Sequence, residues 1–237
     1  MDNTTKSEHV YRIFQNISGG YDKANTRISL GMEKRWKQQL VDRLIQLPHG
    51  AAVLDVCCGT GDIALAAATQ RSDLQVTGLD FSPAMLEVAE RKKAAGQSNV
   101  TFIAGDAMAL PCPDNSFDAV CISFGLRNTA DYAQVLRELY RVTKPGGWVY
   151  CLDSFVPENP FIRPFYKLYF RVIMPRIGGG AHHVQEYKWL YESTQLFLTP
   201  GELIELFGKS GLQTLQSKRR LFGACVLIFG EKPLTSC

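Results

Sequence analysis

Apolar and polar positions follow a helical period at the start of the chain. Apolar side chains recur there three and four residues apart, which predicts an amphipathic helix. A second amphipathic stretch covers residues 32–47 and ends at a proline–histidine–glycine turn. We therefore expect residues 1–50 to form an N-terminal helical cap. The apolar positions of the first helix are Val10, Ile13, Phe14 and Ile17.

Beyond residue 50 the pattern changes to short apolar runs separated by helical stretches. Buried parallel strands have continuous apolar runs of this kind, and their alternation with helices is typical of a sheet covered on both faces. The sequence therefore predicts an α/β fold with a doubly wound, mostly parallel, Rossmann-like sheet. The predicted strands are 52–58, 74–80, 100–104, 117–123 and 148–153, and the predicted helices are 63–69, 84–93 and 132–142.

Residues 156–198 interrupt this alternation with a long, aromatic and helical pattern. Two further strand-like runs, 213–218 and 221–230, come after it. An insertion at this point lies above the carboxyl edge of the sheet, where ligands bind in open α/β folds. We expect a single domain over residues 1–237, in which 156–198 is a helical insertion that covers the substrate.

A glycine-rich turn follows the first predicted strand. Gly59-Thr60-Gly61-Asp62-Ile63-Ala64 has the spacing G-x-G-x-x-A, and Asp80 stands 19 positions after Gly61. The dinucleotide fingerprint of NAD-dependent dehydrogenases has the same features. The turn therefore predicts a nucleoside-containing cofactor without deciding which one.

The charges beside the turn favour one of two cofactors. A dinucleotide would bring a pyrophosphate next to Asp55 and Asp62, at a Coulomb cost on the order of several kcal/mol. S-adenosylmethionine carries an ammonium and a sulfonium and no phosphate. Asp55 suits that ammonium, and the glycines Gly59 and Gly61 let the backbone approach the methionine part. The pattern therefore favours an S-adenosylmethionine-dependent methyltransferase over a dehydrogenase.

Two later acidic residues fit the remainder of this cofactor. Asp80 ends the second predicted strand, where its carboxylate would accept hydrogen bonds from both ribose hydroxyls. Asp106 lies between Gly105 and Ala107 after the third strand, where it would accept a bond from the adenine amino group. Each has an alternative interpretation as an ordinary cap or turn residue. A non-catalytic module that binds the same cofactor is a further alternative.

Charge and composition argue against several other kinds of partner and site. A net charge of +3 over 237 residues is too small to predict a nucleic-acid partner. Seven cysteines without a CxxC pair and four histidines outside any ligand spacing predict neither a disulfide framework nor a metal site. The polar N-terminus and the lack of an apolar run of about 20 residues predict a cytoplasmic protein. The sequence is also compatible with a homodimer.

Longer motifs extend over nearly the whole chain. The most specific is 123–128, Ser-Phe-Gly-Leu-Arg-Asn. The others are Phe14, Ile17, Tyr21-Asp22, Asn25, Ser29, Gly31, Trp36, 54–62, 80–82, 110–118 and 187–193. With these motifs the chain resembles the class I methyltransferases of ubiquinone and menaquinone biosynthesis. The adjacent Cys57 and Cys58 resemble those of the menaquinone branch.

The resemblance implies an activity and a set of site residues. The implied reaction is C-methylation of a reduced prenylated quinone precursor with S-adenosylmethionine, from demethylmenaquinol to menaquinol. A ubiquinone precursor, 2-methoxy-6-polyprenyl-1,4-benzoquinol, and other small phenols are alternative substrates. The implied cofactor contacts are Thr60, Asp80, Asp106, Ala107 and Ser123, and the residues implied beside the substrate ring are Tyr21, Arg127 and Asn128.

Arg127 is the candidate that activates the substrate ring. A cation at hydrogen-bond distance lowers the pKa of a hydroxyl by roughly one to three units, which raises the nucleophilicity of the ring carbon. Asn128 and Tyr21 would orient the ring, and the alternative role of Arg127 is a structural salt bridge. Two departures from the family concern the pocket: Ile228 where many members have histidine, and Asp153 where many have glutamate.

A prenylated substrate also predicts peripheral contact with a membrane. Residues 161–175 are rich in apolar and aromatic side chains, and Arg163, Lys167 and Arg171 stand four apart on one helical face. An apolar helix with a basic stripe is typical of the membrane interface. The alternative is a lid helix that packs on the domain and keeps its basic face in solvent.

Overall fold

The computed structural model describes residues 6, 8, 10–13, 15, 21–94, 97, 99–174 and 184–234. Residues 10–13 are helical, and Val10 and Ile13 are buried as their spacing predicts. Phe14 and Ile17, the other two positions of that pattern, lie outside the described residues.

Helices and strands alternate through the middle of the chain. The helices are α1 (Tyr21–Ile28), α2 (Met32–Leu44), α3 (Asp62–Gln70), α4 (Pro83–Lys92), α5 (Tyr132–Val142), α6 (Arg163–Leu168), α7 (Val184–Leu196) and α8 (Pro200–Lys209). The strands are β1 (Ala52–Val56), β2 (Gln75–Asp80), β3 (Val100–Ala104), β4 (Phe117–Ser123), β5 (Thr143–Ser154), β6 (Gln213–Arg220) and β7 (Cys225–Glu231). A π-helical turn, Tyr169–Ile173, extends α6.

These strands form one seven-stranded sheet in the order β3-β2-β1-β4-β5-β7-β6. The pairs among β1 to β5 are parallel, whereas β7 runs antiparallel to both β5 and β6. The predicted doubly wound, mostly parallel sheet is therefore confirmed.

The core lies on both faces of the sheet because adjacent residues of a strand point to opposite sides. In β1, Leu54 and Val56 belong to the layer that α5 and α8 cover, and Val53 belongs to the layer that α2 and α3 cover. All three side chains are fully buried. Buried aliphatic residues on both faces fix the strand ends, and with them the loops that carry the site.

Several strand boundaries differ from the sequence prediction, and the largest differences are at the starts of β5 and β7. β5 begins at Thr143 and includes the Lys-Pro-Gly-Gly segment, because the backbone of Gly146 and Gly147 bonds that of Lys232 at 2.8 Å. The predicted run 221–230 starts too early. Leu221 and Phe222 have positive φ angles of 46° and 54°, which no strand accommodates, and a 3₁₀ turn precedes β7 there.

No helix in the described part of the chain is long and apolar enough to cross a bilayer.

Candidate active site

The site lies where the strand order reverses, between β1 and β4. In an open parallel sheet the loops that leave such neighbouring strands diverge and open a crevice at the carboxyl edge. Here the loop after β1 carries residues 57–61 and the loop after β4 carries residues 124–128. These loops contain the glycine turn and most of the family motif that the sequence analysis identified.

Two adjoining cavities occupy this crevice. The smaller measures about 170 Å³ and the larger about 430 Å³. Five residues line both cavities, so ligands in the two cavities would lie close to each other. The residues that line both are Tyr21, Cys57, Gly59, Ser123 and Phe124.

The smaller cavity holds the acidic residues that were predicted for ribose and adenine. Asp80, Asp106 and Ala107 all line it. Asp80 accepts backbone N–H bonds from Gly59 at 2.8 Å and Ser82 at 2.9 Å. Burial raises the pKa of Asp80, while these N–H donors favour its ionised form. A carboxylate offers about four acceptor sites, and the Phe81 N–H is a third backbone donor to Asp80, so at least one site remains for a ribose hydroxyl.

Asp55 lies at the end of β1 and lines the larger cavity. It is almost completely buried and accepts one backbone N–H, from Ala64 at 3.2 Å, while the Cys121 thiol lies 3.6 Å away. Burial raises the pKa of Asp55 to about 7. A cation beside this carboxyl would stabilise the ionised form, so the position suits the ammonium of an amino acid.

Asp62, the second carboxylate beside the glycine turn, is paired with lysines from two helices. Lys37 of α2 pairs with Asp62 at 2.6 Å, and Lys92 of α4 pairs with both Asp62 and Asp22, the latter at 2.9 Å. Burial alone would raise the pKa of Asp62, but the two lysines outweigh it and hold the pKa below its ordinary value. Asp62 is thus neutralised by neighbours from distant segments and repels a phosphate less than its sequence position suggests.

Thr60 belongs to the same network. Its hydroxyl donates to Asp22 Oδ1 at 2.6 Å and accepts from Lys92 Nζ at 3.2 Å. Thr60 also lines the larger cavity, as expected for a cofactor contact. The network holds the helical cap against the glycine turn, because Asp22 is in α1.

The two glycines of the turn have different functions. A Cβ at Gly59 would meet no atom within 4 Å, and Gly59 lines both cavities, so a side chain there would enter the space for a ligand. Gly61 lines neither cavity. Its φ is 77°, and a Cβ would come within 2.7 Å of the Phe102 ring. Gly61 thus packs closely at the start of α3, and its predicted contact with the cofactor stays a prediction.

Ser123 ends β4 in the wall that the cavities share. Its buried hydroxyl oxygen has no hydrogen-bond partner among the described residues. Buried hydroxyls are ordinarily paired, so this one indicates a ligand with a polar group at the wall. The acidic set at Asp55, Asp80 and Asp106, together with Ser123 and the open face of Gly59, fits S-adenosylmethionine.

The adjacent cysteines follow β1. Cys57 lines both cavities and Cys58 only the larger. Burial and nearby carboxylates, including Asp55 and Asp80, hold the pKa of both thiols well above the ordinary value. Both are therefore protonated at neutral pH and line the wall as small, weakly polar groups, as expected for reduced thiols.

Arg127 lines the larger cavity and is paired within the protein. Its Nη1 donates to Asp153 Oδ1 at 2.5 Å and to the Phe124 carbonyl at 2.8 Å. Burial opposes the charged form, but the Asp153 carboxylate outweighs it and the pKa of Arg127 is raised. Arg127 therefore forms the buried salt bridge that was its alternative role, with Asp153 as the partner. The Nε of Arg127 is buried without a partner in the described structure and remains a donor for a ligand.

Asn128 lies at the smaller cavity and does not line the larger one. Its amide oxygen accepts the indole N–H of Trp189 at 3.1 Å, and its nitrogen donates to the Phe124 carbonyl at 3.2 Å. Both ends of the amide therefore have protein partners. The backbone turn at 126–128 directs these consecutive side chains to different cavities, and the expectation that Asn128 orients the substrate ring stays a prediction.

Two expectations about the pocket shape also change. Ile228 is fully buried in the core layer of β7 and lines neither cavity, so its departure from the family pattern does not alter the pocket wall directly. Asp153 acts on the pocket through Arg127. Tyr21 lines both cavities and lies close enough to Arg127 to interact with it electrostatically, in agreement with the predicted position.

Tyr166 was missed by the sequence analysis as a site residue. It comes from α6, lines the larger cavity, and its buried hydroxyl lies in the field of Arg127 and beside Thr194. Burial raises the pKa of this phenol. The sequence signal was only a tyrosine in an aromatic stretch, which does not separate a site residue from a packing residue.

The family model for the ubiE/COQ5 methyltransferase family matches residues 2–232. The chain belongs to this family. Among its relatives, demethylmenaquinone methyltransferase from Geobacillus kaustophilus is 45% identical over 231 residues, which are 96% of this chain and 98% of the relative. The same enzyme from Listeria monocytogenes is 44% identical over 96% of this chain and 97% of its own length.

Solved structures have the same fold at lower identity. A methyltransferase from Haloferax volcanii, solved with the activator Trm112, superposes with a TM-score of 0.67 at 21% identity and covers 93% of this chain and 97% of its own. Phosphoethanolamine N-methyltransferase 2 from Haemonchus contortus, solved with S-adenosylmethionine, gives 0.63 at 20% identity, over 83% of this chain and 52% of its own. The predicted methyltransferase with S-adenosylmethionine as cofactor is confirmed, and the dehydrogenase alternative is not.

Proposed function

We propose that this methyltransferase converts demethylmenaquinol to menaquinol by transferring a methyl group to a carbon of the reduced ring. The relatives at 44–46% identity carry the name of that activity. The family also includes enzymes of ubiquinone biosynthesis, for which the acceptor would be a benzoquinol.

The observation that carries the proposal is the shared wall between the two cavities. Asp80 and Asp106 would hold the adenosine in the smaller cavity, and Asp55 would hold the ammonium in the larger one, so the cofactor would extend past that wall. The larger cavity extends from the same wall under α6 and α7, between aromatic and aliphatic side chains that suit an apolar ring. Its apolar lining includes Ile28, Trp36, Phe124, Phe165, Phe170 and Leu190. An apolar acceptor and the methyl donor are therefore held close to each other, which supplies the orientation that a transfer reaction needs.

The residues assigned to the cofactor follow from this arrangement. Asp80 binds the ribose hydroxyls, Asp106 and Ala107 bind adenine, and Asp55 binds the ammonium. Ser123, Gly59 and Thr60 complete the wall and the turn. When bound, S-adenosylmethionine supplies an electrophilic methyl group on a sulfonium.

Arg127 and Tyr166 orient the ring hydroxyls of the quinol. Because Asp153 compensates the charge of Arg127, this guanidinium acts as a fixed hydrogen-bond donor through Nε more than as a free cation. Donation to a ring oxygen stabilises its ionised form and raises electron density at the adjacent carbon. Tyr21 borders both cavities and would pack against the ring at the point of transfer.

The overall reaction balances as quinol plus the sulfonium cofactor giving methylated quinol, S-adenosylhomocysteine and one proton. A carbon–carbon bond forms as the sulfur–methyl bond breaks, and the proton leaves the carbon that gains the methyl. Arg127 stays protonated throughout, so it is not the base, and the proton is released to water. The substrate is a membrane lipid, so the proposal includes peripheral contact of the enzyme with a bilayer.

The test is transfer of an isotopically labelled methyl group. Purified enzyme is incubated with methyl-labelled cofactor and with demethylmenaquinol, the ubiquinone-precursor benzoquinol, or oxidised demethylmenaquinone, and products are identified by mass spectrometry. We expect C-methylated menaquinol from the first, much slower reaction with the second and none with the third. Label on oxygen, or no transfer to either quinol, would refute the proposal.

A further inference from the structure

Three separate segments bring exposed apolar side chains to the mouth of the larger cavity. Leu30 follows α1, Phe165 belongs to α6, and Phe222 belongs to the turn before β7. They are 70%, 71% and 70% exposed, yet each also lines the cavity. A lining residue that is mostly exposed lies at the entrance, so these side chains surround the opening.

The apolar surface continues outward from the opening along α6. Phe161 is 80% exposed and Leu168 is 54% exposed, and neither lines the smaller or the larger cavity of the site. We call Leu30, Phe161, Phe165, Leu168, Leu221 and Phe222 the apolar rim. Scattered exposed hydrophobic residues need no explanation, but a contiguous group around a cavity mouth marks an interaction surface.

The turn before β7 holds its apolar side chains outward at a conformational cost. Leu221 and Phe222 both have positive φ angles, 46° and 54°, which residues other than glycine rarely adopt. Neither gains burial in return, since both are exposed. Strain that displays apolar groups is not explained by folding, so it indicates a partner outside the chain.

The charges beside the rim identify the kind of partner. Residues 158–174 contain three basic side chains and one acidic side chain, Glu158, and residues 213–223 contain three basic and no acidic side chains. Glu158 pairs with Arg219 at 2.7 Å, which leaves five basic residues without a compensating carboxylate in these two segments. All six basic residues are exposed. They are Arg163, Lys167, Arg171, Lys218, Arg219 and Arg220. An apolar surface bordered by cations suits an anionic lipid bilayer. A second copy docked on the same face would place these cations against each other.

We propose that the apolar rim inserts into the surface of an anionic bilayer and sets the cavity mouth directly on the lipid. This rests on the proposed function, since a prenylated quinol would then enter the cavity without crossing water. The basic residues of α6 and β6 lie at the level of the lipid headgroups. Besides residues 161–168, the apolar rim includes Leu30 and the pair Leu221 and Phe222, which come from two distant parts of the sequence. The membrane contact therefore does not depend on a single helix.

Vesicle binding of matched variants tests the proposal. The variant Phe161→Ser/Leu168→Ser removes rim residues that line neither cavity of the site. The control Leu234→Ser removes a residue that is 74% exposed beside Gly146, at the opposite edge of the sheet. Sedimentation is measured with phosphatidylcholine vesicles with and without about one third phosphatidylglycerol.

We expect the wild type and the control to bind the anionic vesicles equally, and the rim variant to bind at least ten-fold more weakly. Binding without phosphatidylglycerol should be weaker for all three proteins. Equal binding by the rim variant, or no binding by the wild type, would overturn the proposal. So would a change from dimer to monomer in the rim variant, because the rim would then contact a second copy.

Turnover separates this proposal from the proposed function. The rim variant should methylate a water-soluble, short-chain quinol as fast as the wild type and should lose activity only on prenylated quinol in vesicles. Absence of short-chain turnover in the wild type would refute the proposed function and leave the vesicle result standing. Equal turnover of both variants on vesicle-embedded substrate would refute the docking surface alone.

Discussion

Replacing Asp55 by asparagine should stabilise the cofactor-free enzyme and weaken cofactor binding. The carboxyl is almost completely buried at the end of β1, and burial raises its pKa from 3.8 to about 7. The asparagine oxygen is able to keep the bond from the Ala64 N–H, which is the backbone donor to this side chain. The substitution therefore removes the buried charge and retains the shape.

The magnitude follows from the difference between the folded and unfolded pKa. The folded state binds the proton more tightly, so the Asp55 contribution to stability is full below about pH 4 and is lost as the pH rises towards 7. At about 1.4 kcal/mol per unit, the cost of ionising Asp55 approaches 4 kcal/mol above pH 7. Between about pH 5.5 and pH 8, it grows by about 2 kcal/mol.

The assay is urea unfolding of the cofactor-free proteins at these two pH values. The free energy of unfolding of Asp55→Asn minus that of the wild type should increase by about 2 kcal/mol from the lower to the higher pH. Calorimetry should show S-adenosylhomocysteine binding about ten- to a hundredfold more weakly, since a charge-assisted hydrogen bond is lost. Asp42→Asn removes an exposed negative charge from α2 and is the control for both measurements.

A stability difference that does not change with pH would show that Asp55 is not a buried acid with a raised pKa. Equally tight binding of S-adenosylhomocysteine by Asp55→Asn and the wild type would also contradict the assignment. The carboxyl would then be a structural feature of β1 with no role towards the ammonium.

Substitutions at three other positions test separate parts of the structure around the site. Asp153→Asn should lower the free energy of unfolding by about 3–5 kcal/mol in thermal or urea denaturation, because it leaves the buried Arg127 unpaired, whereas Asp153→Glu should retain most of the stability. Gly61→Ala should destabilise the fold by about 1–3 kcal/mol, because φ is 77° and the new Cβ would meet the Phe102 ring; a stability equal to that of the wild type would contradict the packing role. Tyr166→Phe should lower kcat about ten-fold in steady-state assays with calorimetric affinity for S-adenosylhomocysteine unchanged, and a loss of that affinity instead would place the hydroxyl at the cofactor.

The fold was predictable because its signals are local. Apolar runs such as 52–56 and 117–123 are buried on both faces, and their alternation with helices leaves few topologies. The errors were local too. The last strand was predicted to begin at residue 221, but β7 begins at Cys225. The apolar pair at 221–222 has the composition of a strand, but its positive φ angles belong to a turn.

Site residues were predictable from the sequence only where a single short segment determines their position. Asp80, Asp106 and Ser123 lie at strand ends, so a parallel sheet necessarily gathers them at one edge. The neutralisation of Asp62 depends on Lys37 and Lys92, which come from two helices on either side of it in sequence. No pattern within the glycine turn carries information about these contacts.

Contacts with distant segments also distinguish the adjacent residues Arg127 and Asn128. Both belong to one motif, but the turn directs Arg127 to the larger cavity and Asn128 to the smaller. The partner of Arg127, Asp153, is 26 positions away on β5. The partner of Asn128, Trp189, is 61 positions away on α7. Sequence proximity alone therefore did not separate the two roles.

The adenosine of the cofactor is expected in the smaller cavity and the quinol ring in the larger one. A crystal structure of the enzyme with S-adenosylhomocysteine and a short-chain reduced naphthoquinone analogue tests this placement most directly. The adenosine should occupy the smaller cavity with its ribose on Asp80, and the ammonium should lie against Asp55. The analogue ring should lie in the larger cavity with a hydroxyl at Arg127 Nε. An adenosine in the larger cavity, or a ring bound away from Arg127, would contradict the account.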